Sequence, residues 1–168
     1  ETDHQQFDSL LPAARLDRRG FVTTLAAAGF ALAVQPVQAS TAISTDATGL
    51  TAGDATIALE GGALPVYFAR PASETKLPVV LVVQEIFGVH EYIRDVCRRL
   101  AQEGYLAIAP ELFFRQGDPR TIANVGEILQ GIVSKVPDGQ VLADLDACAS
   151  WAATQGGDPD WLAITGFC

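Results

Sequence analysis

The chain has 168 residues, 49% of them hydrophobic and 18% charged, and its 11 basic and 20 acidic side chains give a formal net charge of -9. High apolar content with little charge excludes a disordered chain. An acidic balance without a basic patch argues against nucleic acid as a partner.

Residues 1–39 read as an export signal rather than as part of a fold. Asp17-Arg18-Arg19-Gly20-Phe21-Val22 carries a twin arginine, Phe21 to Val34 is apolar and rich in Ala, and Val37-Gln38-Ala39 supplies the small residue expected before a cleavage point. That layout is a signal peptide of the twin-arginine type. The apolar segment is short for a bilayer span and is interrupted by Thr23 and Thr24. The expectation is export to a bacterial periplasm, or secretion, with the twin-arginine machinery as a partner.

Residues 40–53, polar and rich in Thr and Ala, read as a flexible leader, and residues 54–168 as one modest domain. Thr56 to Leu59, the turn Glu60-Gly61-Gly62 and Ala63 to Ala69 predict a β-hairpin. Pro65 in its second arm suggests an edge strand. Leu77-Pro78-Val79-Val80-Leu81-Val82-Val83 is an unbroken apolar run, the pattern of a parallel strand buried on both faces. Gln84-Glu85 follows where another buried residue is expected. A polar pair at the carboxyl end of a central parallel strand sits where open α/β sheets bind ligands.

Gly88 lets the chain turn into a helix from His90 to Glu103, with Ile93, Val96, Cys97 and Leu100 along one face and Gly104 at its end. Tyr105 to Pro110 predicts a second buried strand, completing a βαβ unit that crosses over right-handed. Glu111 to Arg120 reads as a loop. Two helical patterns follow, Thr121 to Val136 and Gln140 to Thr154, separated by Pro137-Asp138-Gly139. Trp161 to Thr165 predicts a third short buried strand. There is no Gly-x-Gly-x-x-Gly, no Walker loop and no metal-ligand spacing, so neither a cofactor nor a metal is expected.

Of the three cysteines, Cys97 and Cys148 share helix faces with apolar residues and read as small core residues. Cys168 differs: a buried strand running into Gly166-Phe167-Cys168 is similar to the first half of a nucleophile elbow, in which glycine makes room for a sharp strand-to-helix turn.

Gln84-Glu85-Ile86-Phe87-Gly88, Ile93-Arg94-Asp95, Gly104-Tyr105 with Ala109-Pro110-Glu111-Leu112, and Ile164-Thr165-Gly166-Phe167-Cys168 together resemble the dienelactone hydrolase family of α/β-hydrolases. The resemblance covers most of the span from Ala63 onward. It implies an α/β-hydrolase fold, a mostly parallel sheet flanked by helices, interrupted after the strand that leads to the elbow. It implies that Cys168 is the nucleophile of a Cys-His-Asp triad, that Glu85 takes part in activating the thiol, and that the Ile86 backbone N–H is one oxyanion-hole donor. The implied substrate is a small lactone or ester, hydrolysed by a monomer.

The chain departs from the family pattern in ending at the expected nucleophile, before the triad Asp and His. The expected second oxyanion donor lies beyond it too, which leaves the chain alone inactive, and Trp161 to Thr165 is expected to be an open apolar edge that makes it poorly stable and poorly soluble. Its histidines are His4, in the signal segment, and His90, which reads as a helix-terminal surface residue rather than a displaced triad base. Arg115 and Arg120 read as surface charge rather than as substrate-carboxylate ligands. Two other readings stay open: a truncated homologue without activity, and a periplasmic small-molecule binding module on a flavodoxin-like sheet.

Overall fold

The structure is a computed structural model that describes residues 44–60, 62–72 and 76–167. Residues 1–39, read above as an export signal, and Cys168 lie outside the described residues. Five strands form one sheet: β1 (Leu50–Leu59), β2 (Gly62–Pro71), β3 (Leu77–Val83), β4 (Leu106–Pro110) and β5 (Gly157–Gly166). Their spatial order is β1-β2-β4-β3-β5. β4, β3 and β5 run parallel, while β1 pairs antiparallel with β2 and β2 antiparallel with β4. The helices are α1 (Glu91–Gln102), α2 (Val125–Gly131) and α3 (Asp138–Thr154), with short 3-10 turns at Pro119–Thr121 and Val133–Lys135.

The apolar run of β3 has a direct explanation in this sheet. Alternate side chains of a strand point to opposite faces. Leu77, Val79 and Leu81 pack in one cluster with Cys148 and Ala152 of α3. Val80 and Val82 pack in the other with Ile93, Cys97 and Ala101 of α1. Both faces of β3 are therefore dry, and each fully buried Val or Leu contributes about 1.5–3 kcal/mol. The two cysteines are core residues, as the helical spacing predicts.

Helix α1 starts and stops where its sequence predicts. His90 is the N-cap, its ring accepting a hydrogen bond from the Tyr92 N–H, and Gly104 just past the last turn adopts φ +90°. That left-handed conformation suits glycine and closes the helix.

Several expectations are corrected. β1 begins at Leu50, inside the stretch read as leader. The described residues before it also dock: Thr45 N–H donates to Asp95 Oδ1 at 2.5 Å and Gln102 Nε2 to the Asp46 carbonyl at 3.1 Å. Pro65 lies in β2, an interior strand flanked by β1 and β4. It is tolerated because the β2–β4 ladder ends at Val66↔Pro110, and only the Pro65 carbonyl bonds onward, accepting from Glu111 N–H at 2.9 Å.

The single helix expected over Thr121 to Val136 is instead the short α2 and a 3-10 turn. Asn124 caps α2, taking the N–H groups of Gly126 and Glu127, so the helix begins late. Asp138 and Gly139 belong to the first turn of α3 rather than to a linker. β5 is longer than expected, and in this chain it is the open edge strand, with Trp161 69%, Leu162 50% and Ile164 61% exposed.

Candidate active site

The carboxyl end of β3 runs into the turn Gln84 to His90. Gly88 adopts φ +82°, and a Cβ there would stand 3.2 Å from both Glu111 Oε2 and Pro119 Cγ. Only glycine fits that conformation at that approach. The turn is clamped from outside. Val89 N–H donates to Glu111 Oε2 at 3.3 Å, and Arg120 Nη1 reaches Glu111 Oε1 at 3.0 Å. The Val89 carbonyl accepts from Arg94 Nε at 3.3 Å and from Arg120 Nη1 at 3.4 Å.

Within this clamp Glu85 and His90 meet. Glu85 Oε1 bonds His90 Nε2, and both side chains are mostly out of solvent. This corrects the reading of His90 as a surface residue: five positions separate the two, and the Gly88 turn folds one back onto the other. The second carboxylate oxygen, Glu85 Oε2, is buried and has no hydrogen-bond partner among the described residues. Gln84, 5% exposed, likewise has neither amide atom paired. The Ile86 N–H, expected as an oxyanion donor, donates to no group among the described residues. Buried side-chain atoms without a partner, as at Gln84 and Glu85, are unusual in folded proteins and call for one.

β5 delivers the end of the chain to the same end of the sheet. Its register with β3 closes at Val83↔Gly166, and Phe167 N–H donates to the Val83 carbonyl at 3.4 Å. Phe167 packs edge-on against Tyr92 at 5.6 Å, and Tyr92 stacks with His90 at 6.3 Å between centroids. A row of rings thus joins the strand that leads to Cys168 to the partner of Glu85.

The other two thiols are poor nucleophile candidates. Burial pushes Cys97 up to about 12, against small opposing effects of Arg98 and Arg94. Burial and then the Asp144 carboxylate push Cys148 up to about 12. A thiol reacts as its thiolate.

A cavity of about 600 Å³ lies beside the clamp, lined by Tyr67, Val89, Arg94, Glu111, Phe114 and Arg120 among others. Its cations are already paired, Arg94 with Asp54 and Arg120 with Asp118 and Glu111. Arg115 forks onto Asp144 of α3. Both loop arginines thus hold the fold together, a correction to their reading as plain surface charge. The Glu85–His90 pairing and the Glu111–Arg120 clamp were not legible beforehand. The one available signal was His90 in an N-cap position directly after the glycine turn.

The dienelactone hydrolase family profile matches residues 64–168. A Methylorubrum extorquens protein named "Putative carboxymethylenebutenolidase" is 55% identical over 161 residues, covering 95% of this chain and 55% of that protein. An Escherichia coli K12 protein of the same name is 57% identical over 148 residues, covering 88% and 54%. The crystal structure of a "Putative Dienelactone Hydrolase" from Klebsiella pneumoniae is 62% identical with a TM-score of 0.69, over 71% of this chain and 50% of that one. The chain therefore spans about half the length of the curated relatives it matches. With that span and the β3–turn–α1 arrangement, the chain belongs to the dienelactone hydrolase family and has its α/β-hydrolase fold.

Proposed function

We propose that this chain carries the first half of a hydrolase of small lactones or esters, with Cys168 as the nucleophile. What carries the reading is Glu85: a carboxylate mostly out of solvent at the carboxyl end of the central strand, tied at one oxygen to His90 and, among the described residues, unpaired at the other. In this reading the Cys168 Sγ–H proton passes to Glu85 Oε2 as Sγ bonds the substrate carbonyl carbon. The carbonyl oxygen takes the negative charge and is held by the Ile86 N–H. Collapse of that intermediate breaks the C–O bond; the leaving oxygen takes the proton back from Glu85 Oε2 and departs as the alcohol, which leaves a thioester on Cys168 and restores the Glu85 carboxylate. Water then hydrolyses the thioester with the family's His and Asp, which the resemblance puts downstream of the nucleophile.

The physical case for a proton acceptor here is direct. A carboxylate beside a thiol disfavours the thiolate unless it takes the proton itself. A thiol with its ordinary pKa, well above neutral, needs such a base to attack.

We also assign the twin-arginine segment an export role, placing the enzyme in the periplasm. Arg18→Lys with Arg19→Lys then traps precursor in the cytoplasm, whereas undiminished periplasmic yield refutes export by that route. For the chemistry, the reading frame past codon 168 is the first check. A glycine two residues after Cys168, with Asp and His further on, fits the enzyme, and an authentic stop selects an inactive homologue. In the full-length protein, hydrolysis of a p-nitrophenyl ester is lost in Cys168→Ala; activity that survives this change sinks the assignment.

A further inference from the structure

We propose that His90 is a positioning residue for Glu85, fixed in one tautomer by its second duty as the N-cap of α1. This rests on the reading of Glu85 as the acceptor of the thiol proton.

The argument starts from the two ring nitrogens. Nδ1 accepts a hydrogen bond from the Tyr92 backbone N–H at 3.3 Å. A nitrogen that accepts carries no proton, so in the neutral ring the proton is on Nε2. Nε2 is the atom that meets Glu85 Oε1. The cap therefore leaves the ring with a donor facing the carboxylate and never an acceptor. A ring in the other tautomer would turn an unprotonated nitrogen on the carboxylate and a proton on the Tyr92 N–H, losing both bonds.

Both nitrogens are occupied in this arrangement. Neither is free to take a proton from a thiol, so His90 is not a displaced triad base. What it does is hold one oxygen of Glu85, which leaves the other, Oε2, without a partner among the described residues, as the carboxylate's acceptor. The groups facing the pair keep it in place. The Tyr92 ring stacks on His90 from α1, and Glu111, Arg94 and Arg120 hold the Val89 link between them. A carboxylate with a free torsion would otherwise sample several orientations, and a misplacement of about 1 Å in a reacting group costs on the order of 10²-fold in rate.

The test uses His90→Asn. Asparagine is a good N-cap and keeps the acceptor for the Tyr92 N–H, but it is too short to reach Glu85. It separates helix capping from positioning. Long-range ¹H–¹⁵N spectra of the full-length protein read His90, its resonances assigned by their loss in His90→Asn. The wild type is expected to show the Nε2–H tautomer, and Glu85→Gln to move the Nε2 resonance. The Nδ1–H tautomer, or an Nε2 signal indifferent to Glu85→Gln, overturns the proposal.

The second readout is single-turnover acylation of Cys168 by a p-nitrophenyl ester in the full-length protein. His90→Asn is expected to melt with the wild type yet acylate roughly 10- to 100-fold more slowly. It adds nothing further in the Glu85→Gln background. Unchanged acylation in His90→Asn, or an equal loss in both backgrounds, overturns the positioning role. A Glu85→Gln rate equal to wild type instead sinks the function assigned to Glu85, and the nitrogen resonances still decide the pairing.

Discussion

Arg115 closes a two-bonded fork on Asp144, Nη1 to Oδ2 at 2.8 Å and Nη2 to Oδ1 at 3.0 Å, across the gap between the loop after β4 and the middle of α3. Asp144 is 1% exposed, and the Arg115 guanidinium also lies over the Phe114 ring at 4.3 Å. Two parallel charge-assisted bonds to a carboxylate are among the stronger polar contacts a protein makes. They pin the loop that carries the Glu111 clamp.

Arg115→Ala leaves Asp144 buried without its counter-charge, and removing one partner of such a pair typically costs about 3–5 kcal/mol. The expected result is a large drop in the urea midpoint. Arg115→Met with Asp144→Leu, which removes both charges, should recover most of it. A midpoint for Arg115→Ala within error of wild type contradicts a structural role for the pair.

The two core cysteines predict an alkaline limit. Both folded thiols are raised to about 12 from an ordinary value of 9.0, chiefly by burial. They stay neutral in the fold while the unfolded chain ionises from about pH 9 upward. Their contribution is therefore complete below pH 9 and is lost as pH rises toward 12. Urea midpoints measured from pH 8 to pH 11 should fall more steeply for the wild type than for Cys97→Ala with Cys148→Ala. Parallel slopes count against buried neutral thiols.

β5 presents Trp161, Leu162 and Ile164 on an open sheet edge. Exposed apolar edges pair with other chains. Residues 40–168 expressed alone should self-associate and show no esterase activity above background, and Ile164→Lys should reduce the association seen by light scattering. A soluble monomer of this span with a cooperative melt rules the prediction out.

Much of the architecture was legible because it depends on short-range pattern. The run Leu77 to Val83 announces a strand covered on both faces, and Gly104 announces the end of α1. The failures share a cause in tertiary placement. Pro65 suits an edge strand by propensity, but its missing N–H falls just past the end of a ladder. The site was half legible: Glu85 stands out as a charge interrupting an apolar pattern, but its pairing with His90 exists only once Gly88 has turned the chain. Arg115 and Arg120 look like surface charge until their acceptors, Asp144 and Glu111, are brought beside them.

The most direct test of the whole account is the acylation rate of Cys168 in Glu85→Gln, measured in the full-length protein by rapid mixing with an activated ester. The substitution keeps the shape of the side chain and removes the proton acceptor. Loss of a positioned acid or base typically costs about 10²–10⁴-fold, and a fall of that size is the predicted result. A pre-steady-state rate equal to wild type would contradict the account, leaving Glu85 as a structural residue of the β3 turn.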